Sequence, residues 1–349
     1  MMPKMDFLSL AAVFTSTFLT VFVSGFMFRK LAVRYNILDE PSHRKVHKKA
    51  VPLLGGLSVY AGVLCGFGFN TEYLRFLMAI LAGGTVVLMV SLIDDIRGLS
   101  AYKRLFGQLL ATGIILLFGV RVSFLPDNLW GNFWEIMLTL LWVVGITNAM
   151  NYLDGIDGLS SGLTAICSFF FSVIAYRAGQ LEIALAGFVV MASCLGFLPH
   201  NLRKKKMFLG DTGSTFLGFM LAALALRGNW AEDSMVKLTI PVLILGVPIF
   251  DMVFTTIMRI KEGKIRNIVE WLEYGGKDHF HHRLIDMGLY STGSLLFICF
   301  INISLGISAL LVSNENGWIG AMSVIQAFII FAGIGVLMVM GNKSGRCRD

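Results

Sequence analysis

The 349-residue sequence is 56% hydrophobic and only 15% charged, and its excess of Lys and Arg gives a net charge of +7. Its mean hydropathy is +0.74. A soluble domain of ordinary composition carries about 25% charged residues, so a water-soluble fold is excluded, and so is disorder. The chain reads as an all-α, polytopic integral membrane protein forming one domain over residues 1–349. A helical span needs roughly 20 mostly apolar residues. Taken in order, about eleven stretches qualify: 7–28, 53–70, 74–93, 105–120, 133–149, 160–177, 181–199, 212–227, 237–258, 294–312 and 319–340. The first is too long for a signal-peptide core and is followed directly by Arg29, Lys30 and Arg34, so it reads as a retained span. The cysteines are scattered, four of them in apolar stretches, and carry neither disulfide nor zinc spacing.

Basic residues orient the spans. With the N-terminus outside and the C-terminus inside, only Lys4, Arg75, Arg121, Arg177, Arg227 and Lys237 fall outside. The remaining Lys and Arg collect in cytoplasmic loops at about 29–52, 94–104, 200–211 and 259–293 and in the C-terminal tail, and a further cytoplasmic loop at about 150–159 carries none. The positive balance is therefore a one-sided cytoplasmic surface suited to anionic lipid and soluble anions, and it implies no nucleic acid.

Walker A, GxGxxG, HExxH and GxSxG patterns are absent. The chemistry-bearing groups are acidic, and all fall on the face that the basic residues mark as inside. Asp94 and Asp95 end the third span, where the helix dipole disfavours anions. Adjacent carboxylates there need a cation, which is either Arg97, Lys103 or Arg104, or a metal. Asn148, Asn151, Asp154 and Asp157 recur every third residue into a glycine break, a polar helix face that fits a ligand site or an ordinary capping loop. Asp211, in G-D-T-G-S, opens a span, where it serves as a cap or holds a hard cation through oxygen. Phe208 just before it is an interfacial aromatic or a platform for a base. His279, His281, His282 and Arg283 read as phosphate or sugar contacts or as a solvated loop. Asp251 is an intramembrane carboxylate, functional or paired with an Arg or Lys, and Glu135 is interfacial. Carboxylates, an Asn, oxygen-type ligation and basic loops at one membrane boundary suit Mg²⁺-dependent phosphoryl transfer between a soluble anion and a lipid phosphate.

Six motifs in order carry a resemblance: L-D-E-P-S-H-R-K-V-H at 38–47, L-L-G-G at 53–56, I-D-D at 93–95, N-A-M-N-Y-L-D-G-I-D-G-L at 148–159, G-D-T-G-S at 210–214 and H-F-H-H-R at 279–283. The set resembles the polyprenyl-phosphate N-acetylhexosamine-1-phosphate transferases over roughly residues 1–345. Within them it is similar to the branch that uses N-acetylglucosamine, because V-P-L-L-G-G stands where the phospho-MurNAc-pentapeptide branch has T-P-T-M-G-G. Phe280 departs from the more usual Ile.

The resemblance implies transfer of a sugar 1-phosphate from UDP-GlcNAc to undecaprenyl phosphate at the cytoplasmic face of the inner membrane, initiating a cell-envelope glycopolymer. It implies Mg²⁺, with Mn²⁺ able to substitute, on Asp211 and Asn151, and a base or lipid-phosphate role for Asp94 or Asp95. Phe208 and Asp157 match uracil contacts, and Asp154 belongs to the same motif. Lys48 or Lys49, Lys103 or Arg104, and the segment His279, His281, His282 and Arg283 match phosphate and sugar contacts. A homodimer is left open. The competing readings are the MurNAc-pentapeptide transferase and, from another class, a cation-coupled transporter using Asp251, which the one-sided acids disfavour.

Overall fold

The computed structural model describes residues 7–40, 50–68, 71–203 and 206–345. Lys48, Lys49 and most of the 38–47 motif lie outside the described residues. In chain order come α1 (Phe7–Arg34), β1 (Leu38–Asp39), β2 (Val51–Pro52), α2 (Gly55–Gly68), α3 (Thr71–Arg97), α4 (Ala101–Leu117), α5 (Leu129–Tyr152), α6 (Leu159–Arg177) and α7 (Leu181–Asn201). Then follow α8 (Gly210–Arg227), α9 (Ser234–Ile244), α10 (Gly246–Lys261), α11 (Ile268–Glu273), α12 (Phe280–Asp286), α13 (Ser291–Val312) and α14 (Gly317–Gly345). The two short strands pair antiparallel, Leu38 opposite Pro52.

Seven of these helices are long and apolar enough to cross a membrane, or eight if the bent pair α9–α10 is one span. The protein is a multi-pass, all-helical membrane protein. Each apolar stretch read from the sequence coincides with a helix, with α2, α4 and α8 the shorter ones. The stretch 237–258 is corrected: it is two helices, bent by 75° at Leu245. Pro248 has no N–H to offer the carbonyl four residues back, so the ladder breaks. That carbonyl, of Ile244, accepts instead from Cys167 Sγ at 3.2 Å.

One helix organises the bundle. α8 is buried on all sides from Thr212 to Ala225, as expected of a helix that is apolar all round, and it packs against α2, α3, α5, α6 and α7. Lipid tails are as apolar as Leu, so packing and interhelical hydrogen bonds hold such a bundle together rather than hydrophobic transfer. Ser91 on α3 meets Thr215 on α8 at 2.8 Å, and Trp142 Nε1 on α5 donates to the Ala222 carbonyl at 3.3 Å. The outer helices turn apolar side chains such as Phe300, Leu311, Trp318 and Phe328 outward. Because α8 starts where α3 and α5 end, its N-terminus is surrounded by the C-terminal turns of its neighbours.

Candidate active site

The start of α8 is assembled from three distant pieces of chain. The extended segment before it is clamped by backbone bonds: Phe208 N–H donates to the Pro52 carbonyl at 2.9 Å, and Gly55 and Gly56 N–H donate to the carbonyls of Phe208 and Leu209. The chain turns into the helix at Gly210, whose φ of +74° is the left-handed region that side chains resist. Asp95 then caps the helix from across the interface. Its Oδ1 accepts Asp211 N–H at 3.0 Å and its Oδ2 accepts Thr212 N–H at 2.9 Å, and Thr212 Oγ1 adds a third bond. Asp94, the preceding residue, points elsewhere. It accepts from the Leu99 N–H and from Arg104 Nη1 at 3.3 Å, and it lines a small cleft with Arg104, Gln108, Asn148, Asn151 and Asp211.

Arg104 lies between two acids, 3.3 Å from Asp94 and 3.7 Å from Asp211. Across the cleft, Asn151 Nδ2 on the last turn of α5 donates to Asp211 Oδ1 and to Ser214 Oγ, each at 2.9 Å. One turn earlier Asn148 and Gln108 exchange amide bonds at 2.9 and 3.2 Å. Beyond α5 the chain breaks at Leu153 and carries Asp154 and Asp157 toward α6. Burial, then the carboxylates of Asp211, Asp95 and Asp157, push the Asp154 carboxyl well above the ordinary range. Asp157 is held by Lys206 Nζ at 2.8 and 3.0 Å, and the same ammonium sits 4.9 Å from the Phe208 ring centroid.

The last long loop closes the site from the far side. His279 stacks on Tyr152, with ring centroids 4.8 Å apart and planes 27° apart. His281 is fully buried, with neither ring nitrogen bonded among the described residues. Burial, then His282 and His279, push it down to about 3, so its ring is neutral and cannot act as a cationic phosphate clamp. It lies against Gly155, where a Cβ would collide with Nε2. Gly155→Ala is therefore expected to displace His281. We expect a loss of about 1–3 kcal/mol, the usual cost of overpacking, read as a lowered thermal midpoint together with reduced turnover. A midpoint and turnover both equal to wild type would contradict this contact.

The matched regions coincide with this geometry. The family model described as glycosyl transferase family 4 matches residues 77–229. A Bacillus subtilis (strain 168) protein named "Probable undecaprenyl-phosphate N-acetylglucosaminyl 1-phosphate transferase" is 35% identical over 95% of this chain and 91% of its own length. The chain belongs to glycosyl transferase family 4. Another relative, the decaprenyl-phosphate N-acetylglucosaminephosphotransferase of Mycolicibacterium smegmatis, is 31% identical over 81% of this chain and 77% of its own. The undecaprenyl-phosphate alpha-N-acetylglucosaminyl 1-phosphate transferase of Escherichia coli (strain K12) is 27% identical over 94% and 91%. The family 4 match contains Asp94, Asp95, Asn151, Asp154, Asp157, Phe208 and Asp211, and stops before the histidine loop.

The structure thus brings together Asp94, Arg104, Asn151, Asp154, Asp211 and the histidine loop. Lys103 instead is exposed on the neighbouring face of α4. Arg283 is buried, donating from Nε to the Asp278 carbonyl at 2.7 Å and lying 5.3 Å from the Phe254 ring centroid. His282 is half-buried, and burial lowers its basicity first of all. Gln108 and Tyr152 were not among the residues read from sequence. The four-residue spacing of Arg104, Gln108 and Thr112 on α4 was the available signal for Gln108. Among the described residues no three His, Cys, Asp or Glu side chains form a ready-made metal cage. Mg²⁺ commonly takes one or two carboxylates and completes its shell with water and substrate phosphate. Asp211 offers such a carboxylate, while Asn151 turns its amide nitrogen toward Asp211 and Ser214, so it would join an oxygen set only with its amide reversed. The crowded carboxylates that raise Asp154 would be relieved by a cation there.

Proposed function

We propose that this family 4 member transfers N-acetylglucosamine 1-phosphate from UDP-GlcNAc to undecaprenyl phosphate, giving undecaprenyl-diphosphate-GlcNAc and UMP. The observation that carries it is the cleft itself: Asp211 at the head of a buried helix, facing Asn151, with Arg104 held between Asp211 and Asp94. The names of the Bacillus and Escherichia relatives support the substrates. Asp211 and Asn151 would hold Mg²⁺, or Mn²⁺ in its place, which when bound neutralises charge on the diphosphate oxygens.

In this reading a lipid phosphate oxygen attacks the β-phosphorus that carries the sugar. The bond from that phosphorus to the bridging oxygen breaks, and UMP leaves with the electron pair. The second pKa of a phosphate monoester is about 6, so the nucleophile is already mostly dianionic near neutrality. Asp94 therefore serves mainly to orient Arg104, which balances charge near the cleft mouth. The neutral, half-buried His282 suits hydrogen bonds to sugar hydroxyls rather than charge pairing, and the fully buried His281 supports it from beneath, against Gly155. Phe208 and Lys206–Asp157 form a platform beside the cleft for the uracil ring. An eleven-span topology with N-terminus out and C-terminus in, in the cytoplasmic membrane, places this cleft on the cytoplasmic side, where UDP-sugars are found. The C-terminal ends of α3, α5 and α7 and the N-terminal end of α8 meet at one end of the bundle, which supports that placement.

The purified protein in detergent, given undecaprenyl phosphate and either UDP-GlcNAc or UDP-MurNAc-pentapeptide, is expected to release UMP with the first donor only. UMP release with the pentapeptide donor alone would move the protein to the other branch, and release with neither would end the transferase reading.

A further inference from the structure

Asp251, on α10, is fully buried away from the acidic cleft, and both its oxygens are engaged. Oδ2 lies 2.8 Å from His279 Nδ1, and Oδ1 accepts the Phe280 N–H at 2.6 Å, with Thr255 Oγ1 at 3.4 Å. A carboxylate accepts, so Nδ1 carries the proton, and Nε2 is left as an acceptor for Arg259 Nη2 at 3.1 Å. Arg259 is itself held by Asp278 through two bonds of 3.0 and 2.6 Å. Both nitrogens of His279 are thereby used, and neither is free to take a proton from substrate or to bind phosphate. What the ring still offers is its face, stacked on Tyr152. Tyr152 adjoins Asn151, whose amide reaches Asp211.

We propose that Asp251 is a positioning residue: through His279 and Tyr152 it sets the register of the 279–283 segment against the Asn151–Asp211 cleft, and with it the affinity for the nucleotide-sugar donor. This rests on the donor reading above. The alternative is a purely structural buried pair, which would scale the amount of folded enzyme and nothing else. Asp251→Asn separates the two. The isosteric amide still accepts from Phe280 but turns an N–H toward His279 Nδ1. The ring must then move its proton to Nε2, where it opposes the Arg259 N–H, so the histidine is driven from its place while the packing volume is unchanged.

The experiment measures KM for UDP-GlcNAc and for undecaprenyl phosphate separately in wild type, Asp251→Asn, His279→Ala and the double variant, with thermal midpoints alongside. In Asp251→Asn the donor KM rises roughly tenfold or more, the scale of one lost charge-assisted hydrogen bond, while the acceptor KM holds. The double variant is no worse than His279→Ala, because the two residues act through one contact. An unchanged donor KM, equal rises in both KM values, losses that only follow the folded fraction, or additive effects in the double variant would each overturn the inference alone. A wild-type protein that transfers no sugar phosphate would overturn the donor reading and this inference with it.

Discussion

Asp211→Ala is expected to lower UMP release by a factor on the order of 10³ or more, the scale seen when a preorganised electrostatic group is removed from a transferring centre, while leaving the protein folded. The fold should survive because the carboxylate of Asp211 is not what starts its helix. The N–H groups of Asp211 and Thr212 are capped by Asp95, and those bonds use the backbone of residue 211 rather than its side chain. The Asp211 side chain is 39% exposed, so its removal leaves no sealed cavity. Asn151 loses one acceptor but keeps Ser214 Oγ. A change in thermal midpoint of no more than a few degrees alongside the lost turnover is the expected pair of results. Near-wild-type turnover would remove Asp211 from the cation site, and activity would then have to rest on Asp94 and Asp154.

Hydropathy made the helices legible, because an apolar run long enough to span is a strong signal that needs no tertiary context. The run at 237–258 conceals its break for a local reason. Its composition is that of a span, but Pro248 removes one donor and the freed carbonyl finds Cys167 on α6, a partner no local pattern reveals. The site was legible as a set of residue types and not as a division of labour. Asp94 and Asp95 are neighbours in sequence, yet adjacent helical residues do not share a face, and only the position of the α8 start shows which one meets its free N–H groups. Arg283 read as a substrate contact because it is basic and sits in a motif. Its guanidinium instead closes on Asp278 and Phe254, which depends on the fold of a long loop. Asp251 had two open readings, as a functional intramembrane carboxylate or as the partner of an Arg or Lys. The structure pairs it with His279, twenty-eight residues away.

That division of labour gives the second large effect. Asp95→Ala removes the acceptor for two backbone N–H groups and one hydroxyl at the head of the most buried helix of the bundle. Bonds to a charged acceptor contribute about 1.5–3 kcal/mol each, and losing a helix cap alone costs about 1 kcal/mol. Water can reach this half-exposed end and replace part of the loss, so a destabilisation of about 3 kcal/mol is expected, or a thermal midpoint lower by roughly 5 °C or more. Asp95→Asn should recover little, since its amide nitrogen would confront donors that need an acceptor. Asp94→Asn should behave in the opposite way. Its remaining oxygen can still accept from the Leu99 N–H, so stability should stay within about 1 kcal/mol of wild type. Arg104 would lose its carboxylate partner at 3.3 Å and with it the orientation that holds its charge over the cleft, so turnover should fall. Measured side by side, the two variants distinguish a carboxylate that builds the site from one that works in it. If Asp95→Ala kept the wild-type midpoint and Asp94→Asn lowered it, the assignment of these two neighbours would have to be exchanged.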